Sequence, residues 1–156
     1  MTSCLFPPSS RQRGFTLIEL LVTMTVMIIM LGIAVPSFKN FTASQRVKST
    51  AYDVATTLLL ARSEAVKRNK AIIIAPATGT DWTTGWTVKD TTTVLDLKNA
   101  VAGLAITGPA NLSYQANGRI AAAVTFDIAD AAVSSARKCV KVDLLGIPST
   151  SSGACS

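Results

Sequence analysis

The chain has 156 residues, 49% of them apolar, with 15 Lys and Arg against 9 Asp and Glu and a mean hydropathy of +0.40. That length accommodates one globular domain and leaves no room for a second core. Histidine is absent, which removes the usual neutral-pH proton shuttle and the commonest metal ligand, so no metal site, no cofactor and no catalytic residue is expected.

The apolar excess is concentrated near the N-terminus. Residues 1–14 form a polar leader that carries Arg11 and Arg13 and ends in Gly14. From Phe15 to Val35 the chain is almost wholly apolar, and Pro36 closes the run. At about 1.5 Å of rise per residue such a helix spans roughly 30 Å, the thickness of a bilayer's hydrocarbon core. The basic pair just before it places the N-terminus in the cytoplasm and everything after Pro36 outside. An ordinary secretory signal is cut after its apolar stretch. Here the polar leader abuts the apolar run, so cleavage after Gly14 removes the charges and keeps the helix.

Glu19 lies inside that run. A carboxylate at this depth costs several kcal/mol without a partner. Read alone, it is either a tolerated charge at the membrane interface or one half of a pair. The amine freed on Phe15 by cleavage is the obvious counterpart: axially staggered helices in a bundle would let the two neutralise each other and set register. The segment Arg13-Gly14-Phe15-Thr16-Leu17-Ile18-Glu19-Leu20 resembles the type III prepilin signal of type IV pilins and type II secretion pseudopilins. That resemblance implies a prepilin peptidase that cuts between Gly14 and Phe15 and methylates the Phe15 amine, an inner-membrane assembly platform, and Glu19 acting in subunit recruitment. It also implies a kinked or melted helix at Pro36, in keeping with the helix-breaking effect of proline.

After Pro36 the apolar pattern becomes periodic. Val47, Ala51, Val54, Leu58, Ala61 and Ala65 alternate spacings of four and three, the mark of one helical stripe over residues 36–70. Arg46, Lys48, Asp53 and Glu64 fall largely on other faces, and the helix is expected to end near Asn69. Arg62, Lys67, Arg68 and Lys70 gather at that end, where cations either favour a helix C-terminus and solvate its exposed face or contact DNA or an acidic partner.

Residues 71–156 read as a β-rich domain, with strands expected at 71–75, 85–89, 93–97, 103–107, 111–116, 119–128 and 138–145. Asn117-Gly118 supplies the strongest hairpin signal, because both residues tolerate positive φ; Gly108-Pro109 and Gly79-Thr80-Asp81 mark further breaks. One helix on an antiparallel sheet, in α+β order, buries both apolar faces. The stretch Leu60-Ala61-Arg62-Ser63-Glu64-Ala65-Val66-Lys67-Arg68-Asn69, then Gly85-Trp86-Thr87-Val88, and Gly118-Arg119 with Phe126, resembles the GspH/FimT group of minor pilins and pseudopilins. That resemblance implies a pilin-like fold and a structural role in filament assembly beside other pilins or pseudopilins. Trp86 reads as a core aromatic.

Of three cysteines, Cys4 stays in the leader while Cys139 and Cys155 remain in the exported part. An oxidising periplasm permits a bridge between them, with two free thiols as the alternative. A loop of that length contributes on the order of 3 kcal/mol in the chain-entropy model, and would staple a C-terminal loop at 145–153 that is short of large apolar residues. Disulfide-closed C-terminal loops recur among type IV pilins, which favours a minor pilin of the FimT/FimU type over the minor pseudopilin H of type II secretion. Some FimT-like proteins capture DNA through an arginine-bearing segment after a glycine. This chain has Gly146-Ile147-Pro148-Ser149 there, leaving Arg119, Arg137, Lys138 and Lys141 as the candidate nucleic-acid contacts. No spacing singles out a serine-lysine dyad, so the chain reads as a non-enzyme.

Overall fold

The computed structural model describes residues 14–155, apart from the side chains at 33–36; residues 1–13 of the leader, with Cys4, Arg11 and Arg13, lie outside the described residues. One long helix, α1 (Leu17–Arg68), precedes eight strands: β1 (Ile72–Thr78), β2 (Asp81–Lys89), β3 (Val94–Lys98), β4 (Leu104–Thr107), β5 (Leu112–Tyr114), β6 (Val124–Asp130), β7 (Arg137–Val142) and β8 (Pro148–Ser152). Met1–Phe38 and Lys39–Ser156 are two compact units.

Both ends of α1 are built by local chemistry. At its start the Thr16 hydroxyl accepts a hydrogen bond from the Glu19 backbone N–H at 3.3 Å, so Thr16 is the N-cap. At its finish Asn69 adopts φ +52°, its N–H reaches Val66 O at 3.3 Å and Lys70 N–H reaches Ala65 O at 3.2 Å. This is a Schellman motif, which satisfies carbonyls that the last turn leaves open. Helical backbone continues through position 36.

In the globular unit the expected stripe is the core. Val47, Ala51, Val54, Leu58, Ala61 and Ala65 are each at most 2% exposed. The single sheet expected from the sequence is in fact two four-stranded antiparallel sheets, ordered β3-β2-β1-β5 and β4-β6-β7-β8. An aromatic seam joins them. Trp82 of β2 meets Phe126 of β6 edge-to-face at 4.8 Å and lies 6.2 Å from Trp86. Both indole N–H groups are satisfied, by Pro109 O at 2.8 Å and by the Thr57 hydroxyl of α1 at 3.2 Å. Trp86 is thus the core aromatic its sequence context suggests.

Several boundaries move, each for a physical reason. β1 runs past Pro76 rather than stopping at 75. Its partner β5 covers only Ile72–Ile74, so the edge beside Pro76 is open there and the missing N–H leaves no ladder bond unmade. Gly79-Thr80 forms a two-residue turn, since Thr78 pairs with Asp81, and this starts β2 four residues before the expected 85. At the Asn117-Gly118 signal only Gly118 takes positive φ, +76°. Gly118 N–H bonds Gln115 O and Gln115 N–H bonds Arg119 O. This is a turn closed by a single left-handed glycine, and it leaves residues 119–123 as one bridge, Tyr114 to Ile120, before β6 begins at 124. The C-terminal loop expected at 145–153 contains an edge strand, β8, paired along the length of β7 from Lys138 with Ser152 to Val142 with Pro148. Cys139 and Cys155 are bridged, with Cα atoms 5.0 Å apart.

Tyr114 is fully buried and its hydroxyl donates to Gly146 O at 3.2 Å. Burial pushes its pKa up from 10.0 to about 12. The unfolded chain therefore loses this proton first as pH rises, so the contribution is complete below pH 10 and drains away toward pH 12. Tyr114→Phe is expected to lose about 1 kcal/mol at neutral pH and to show a shallower fall in urea midpoint than the parent over that window, read from the emission of Trp82 and Trp86.

Candidate functional site

The first unit presents an uncovered apolar rod. From Leu17 to Leu31 its large apolar side chains stand 47–81% exposed, and α1 is long and apolar enough there to cross a membrane. The polar residues in the run are prepared for such a setting. Thr23 donates its hydroxyl to Leu20 O at 2.9 Å and Thr25 to Leu21 O at 2.8 Å, so neither carries an unsatisfied donor into hydrocarbon. Glu19 is different: its backbone N–H is taken by Thr16, but its carboxylate has no partner among the described residues. It sits one turn into the helix, where the positive end of the dipole favours an anion. Phe15, 78% exposed, precedes the cap, and Gly14 precedes Phe15. The Thr16-Leu17-Ile18-Glu19 pattern is also a capping-box spacing, a signal that the reading of Glu19 as a membrane charge passed over.

In the globular unit two arginines fasten α1 to the β-rich part: Arg46 to β6 of the second sheet, and Arg62 to the turn after β5 of the first sheet and the β7–β8 turn of the second. Near one end Arg46 Nη1 meets Asp130 Oδ2 at 3.3 Å, and that carboxylate is 3% exposed. Asp130 also accepts the N–H groups of Ala132 and Val133 at 3.0 Å through Oδ1. Near the other end Arg62 Nε donates to Gly118 O at 3.2 Å and to Leu145 O at 3.3 Å. Sixteen residues of helix, about 24 Å, separate the two fastenings. A third contact ties α1 to the first sheet. Arg68 pairs with Glu64 and reaches Asp90 Oδ2 at 3.9 Å. The Arg68 hydrogen bond holds the Glu64 carboxyl below its ordinary range. Backbone N–H bonds from Thr92 and then Thr93 do the same for Asp90. Sequence could not pair Arg46 and Arg62 with their acceptors, because the separations along the chain are 84, 56 and 83 positions.

Gly146 completes the Arg62 knot. It has φ +77°, and a methyl group there would run into Gly118 O and lie 2.7 Å from the Tyr114 ring.

The four cations considered for nucleic acid are distributed rather than gathered. Arg137 and Lys141 share one face of β7 and Lys138 points to the other, as strand alternation requires. Arg137 is paired with Asp127 at 2.9 Å, and Lys138 Nζ donates to Ser152 Oγ at 3.2 Å. Arg119 belongs beyond the far end of β7, where Ile120 N–H meets Leu144 O at 3.4 Å. No group of three or more metal-ligating side chains occurs among the described residues.

Residues 50–146, more than half of the chain, match the family described as type II transport protein GspH, and residues 9–35 match the prokaryotic N-terminal methylation motif. Among solved structures the chain is similar to the type IV minor pilin FimU of Pseudomonas aeruginosa strain PAO1. One crystal form matches with 22% identity, a TM-score of 0.65, and coverage of 74% of this chain and 97% of that one. A second form gives 21%, 0.62, 70% and 97%. At that identity the likeness establishes the fold. No curated protein sequence matches the chain.

Gly146→Ala is expected to cost about 2–4 kcal/mol through overlap and left-handed strain, seen as a lower urea midpoint at unchanged slope.

Proposed function

The chain belongs to the GspH family of minor pilins and pseudopilins and carries their N-terminal methylation motif; from that premise we propose that it is a minor pilin of a type IV pilus, a structural subunit that helps initiate or cap the filament. In this reading it inserts once in the inner membrane, N-terminus cytoplasmic and β-rich domain periplasmic. Prepilin peptidase cuts between Gly14 and Phe15 and the new amine of Phe15 is methylated. Glu19 then meets the amine of a neighbouring subunit as the assembly platform adds pilins to the base. Pro36 supplies the local give that lets the stem settle among its neighbours. The chain performs no catalysis itself.

One observation carries the reading. The helix is capped by Thr16, two residues after Gly14, and presents an unpartnered Glu19 carboxylate on a rod of exposed apolar side chains. Everything that the mature stem needs thus survives removal of the leader. The pairing is also energetically asymmetric: a lone carboxylate within lipid is costly, whereas an ion pair at the same depth loses most of that cost. Addition of a subunit is thereby driven by a charge that the free subunit cannot satisfy.

A second reading, the minor pseudopilin H of a type II secretion system, is supported by the description of the matching family. The two share stem chemistry and differ in machine. Deletion in the native host separates them: loss of surface pili with secretion intact supports the first, and loss of protein export with pili intact supports the second.

Replacing Gly14 with isoleucine is expected to leave full-length protein in the inner membrane, whereas the parent yields a chain beginning with N-methylated Phe15 by mass spectrometry. Glu19→Ala is expected to be cut normally yet to enter filaments about tenfold less, the equivalent of ~1.4 kcal/mol. A parent protein that retains Met1 would sink the assignment.

A further inference from the structure

Beside the Arg62 knot lies a groove of about 660 Å³ lined by Leu59, Arg62, Ser63, Val66, Lys67 and Asn117. We propose that this groove is a docking site for an acidic peptide segment of a partner protein, one that places a carboxylate against Arg62 and Lys67 and apolar side chains against Leu59 and Val66.

Several hydrogen-bonding groups of the groove remain unused among the described residues. Arg62 spends only Nε on Gly118 O and Leu145 O, and its two Nη nitrogens have no partner among the described residues. The knot therefore holds the guanidinium in place while leaving its fork available, the geometry that a carboxylate matches best. Asn117 Oδ1 accepts the Arg119 N–H at 3.0 Å, so the amide nitrogen is the half left to donate. Ser63 gives its proton to Leu60 O at 2.8 Å. Lys67 Nζ lies 3.7 Å from Glu64 Oε1, but that carboxylate is shared with Arg68, and the lysine side chain is 77% exposed. The groove is thus rich in donors, and no acidic side chain lines it. Arg119, exposed on the adjoining turn, adds another cation.

The walls decide what kind of acceptor fits. Leu59 is 47% and Val66 54% exposed, large apolar surfaces that a bare phosphate or a nucleic-acid backbone leaves wet. A carboxylate on an apolar scaffold uses both features, as amphipathic segments do in grooves. A second copy of this chain is a poor occupant, since its own charge is +6. The proposal needs neither leader cleavage nor polymerisation, so its failure leaves the function proposed above untouched.

Full-length protein in detergent micelles is titrated into a short fluorescein-labelled peptide containing Leu-Glu-Leu-Glu-Leu, or into its Gln-for-Glu twin, and anisotropy is followed. The Glu peptide is expected to bind about tenfold more tightly than the twin. Combined Lys67→Glu and Arg119→Glu should abolish that preference. The charge-matched pair Lys39→Glu and Lys48→Glu, which lie on α1 at least about 16 Å before Leu59, should leave it within about twofold. Leu59→Ser should weaken both peptides. Unchanged emission from Trp82 and Trp86 certifies the fold of each variant. Equal binding of the two peptides overturns the proposal, as does equal weakening by both charge pairs. So does a short DNA duplex that outcompetes the Glu peptide through Lys67 and Arg119, or self-association that is relieved by Leu59→Ser.

Discussion

A single helix here has to be compatible with two media, and most of the molecule follows from how its side chains divide that labour. Between Leu17 and Leu31 apolar groups face every direction and the threonines spend their hydroxyls on their own backbone, so nothing but Glu19 asks for an outside partner. Between Ala43 and Ala65 the apolar groups collapse to one side, many of them no larger than alanine. Small residues let strands approach the helix axis closely, and both sheets join it in one continuous core. The opposite side carries most of the charged groups of this stretch but also leaves Tyr52, Leu59, Leu60 and Val66 exposed.

Small residues pack closely but specify position poorly, because a stripe of alanine and valine slides at little cost. Polar contacts provide the missing registration. Arg46 with Asp130 fixes one point of the helix against the second sheet, Arg68 with Asp90 fixes another beside the first, and Arg62 bridges turns of both through the carbonyls of Gly118 and Leu145. Each uses a directional group at the margin of the core, where water still solvates part of the guanidinium and the desolvation cost stays modest. The aromatic trio of Trp82, Trp86 and Phe126 does for the sheets what the arginines do for the helix.

Much of this was legible beforehand wherever the cause is local. The apolar stem, the stripe from Val47 to Ala65, the helix end near Asn69 and the motif around Gly14 are all periodic or contiguous in the chain. The paired cysteines were the one distant contact in plain view, because chemistry names their partner. What escaped depends on neighbours that a linear reading lacks. Pro76 looks like a strand terminator until β5 proves too short to need its N–H. The serine-rich β8 has no apolar alternation to announce it and exists because β7 offers a free edge. Division into two sheets arises from which strands pair, a choice made across long separations. The carbonyl acceptors of Arg62 carry no side-chain signature at all.

The placement of those acceptors has a temporal consequence. A ribosome delivers the helix first and Leu145 some eighty residues later, as the 83-residue separation from Arg62 dictates. Until then only the first sheet is available to cover the alanine stripe, and the second cannot close over it. The helix forms within about a microsecond, whereas synthesis of that span takes seconds, so the finished helix waits as bait for any apolar surface nearby. The β7–β8 turn works as a late latch, and a chain truncated before it would keep its helix while losing one of the fastenings that hold the helix in register.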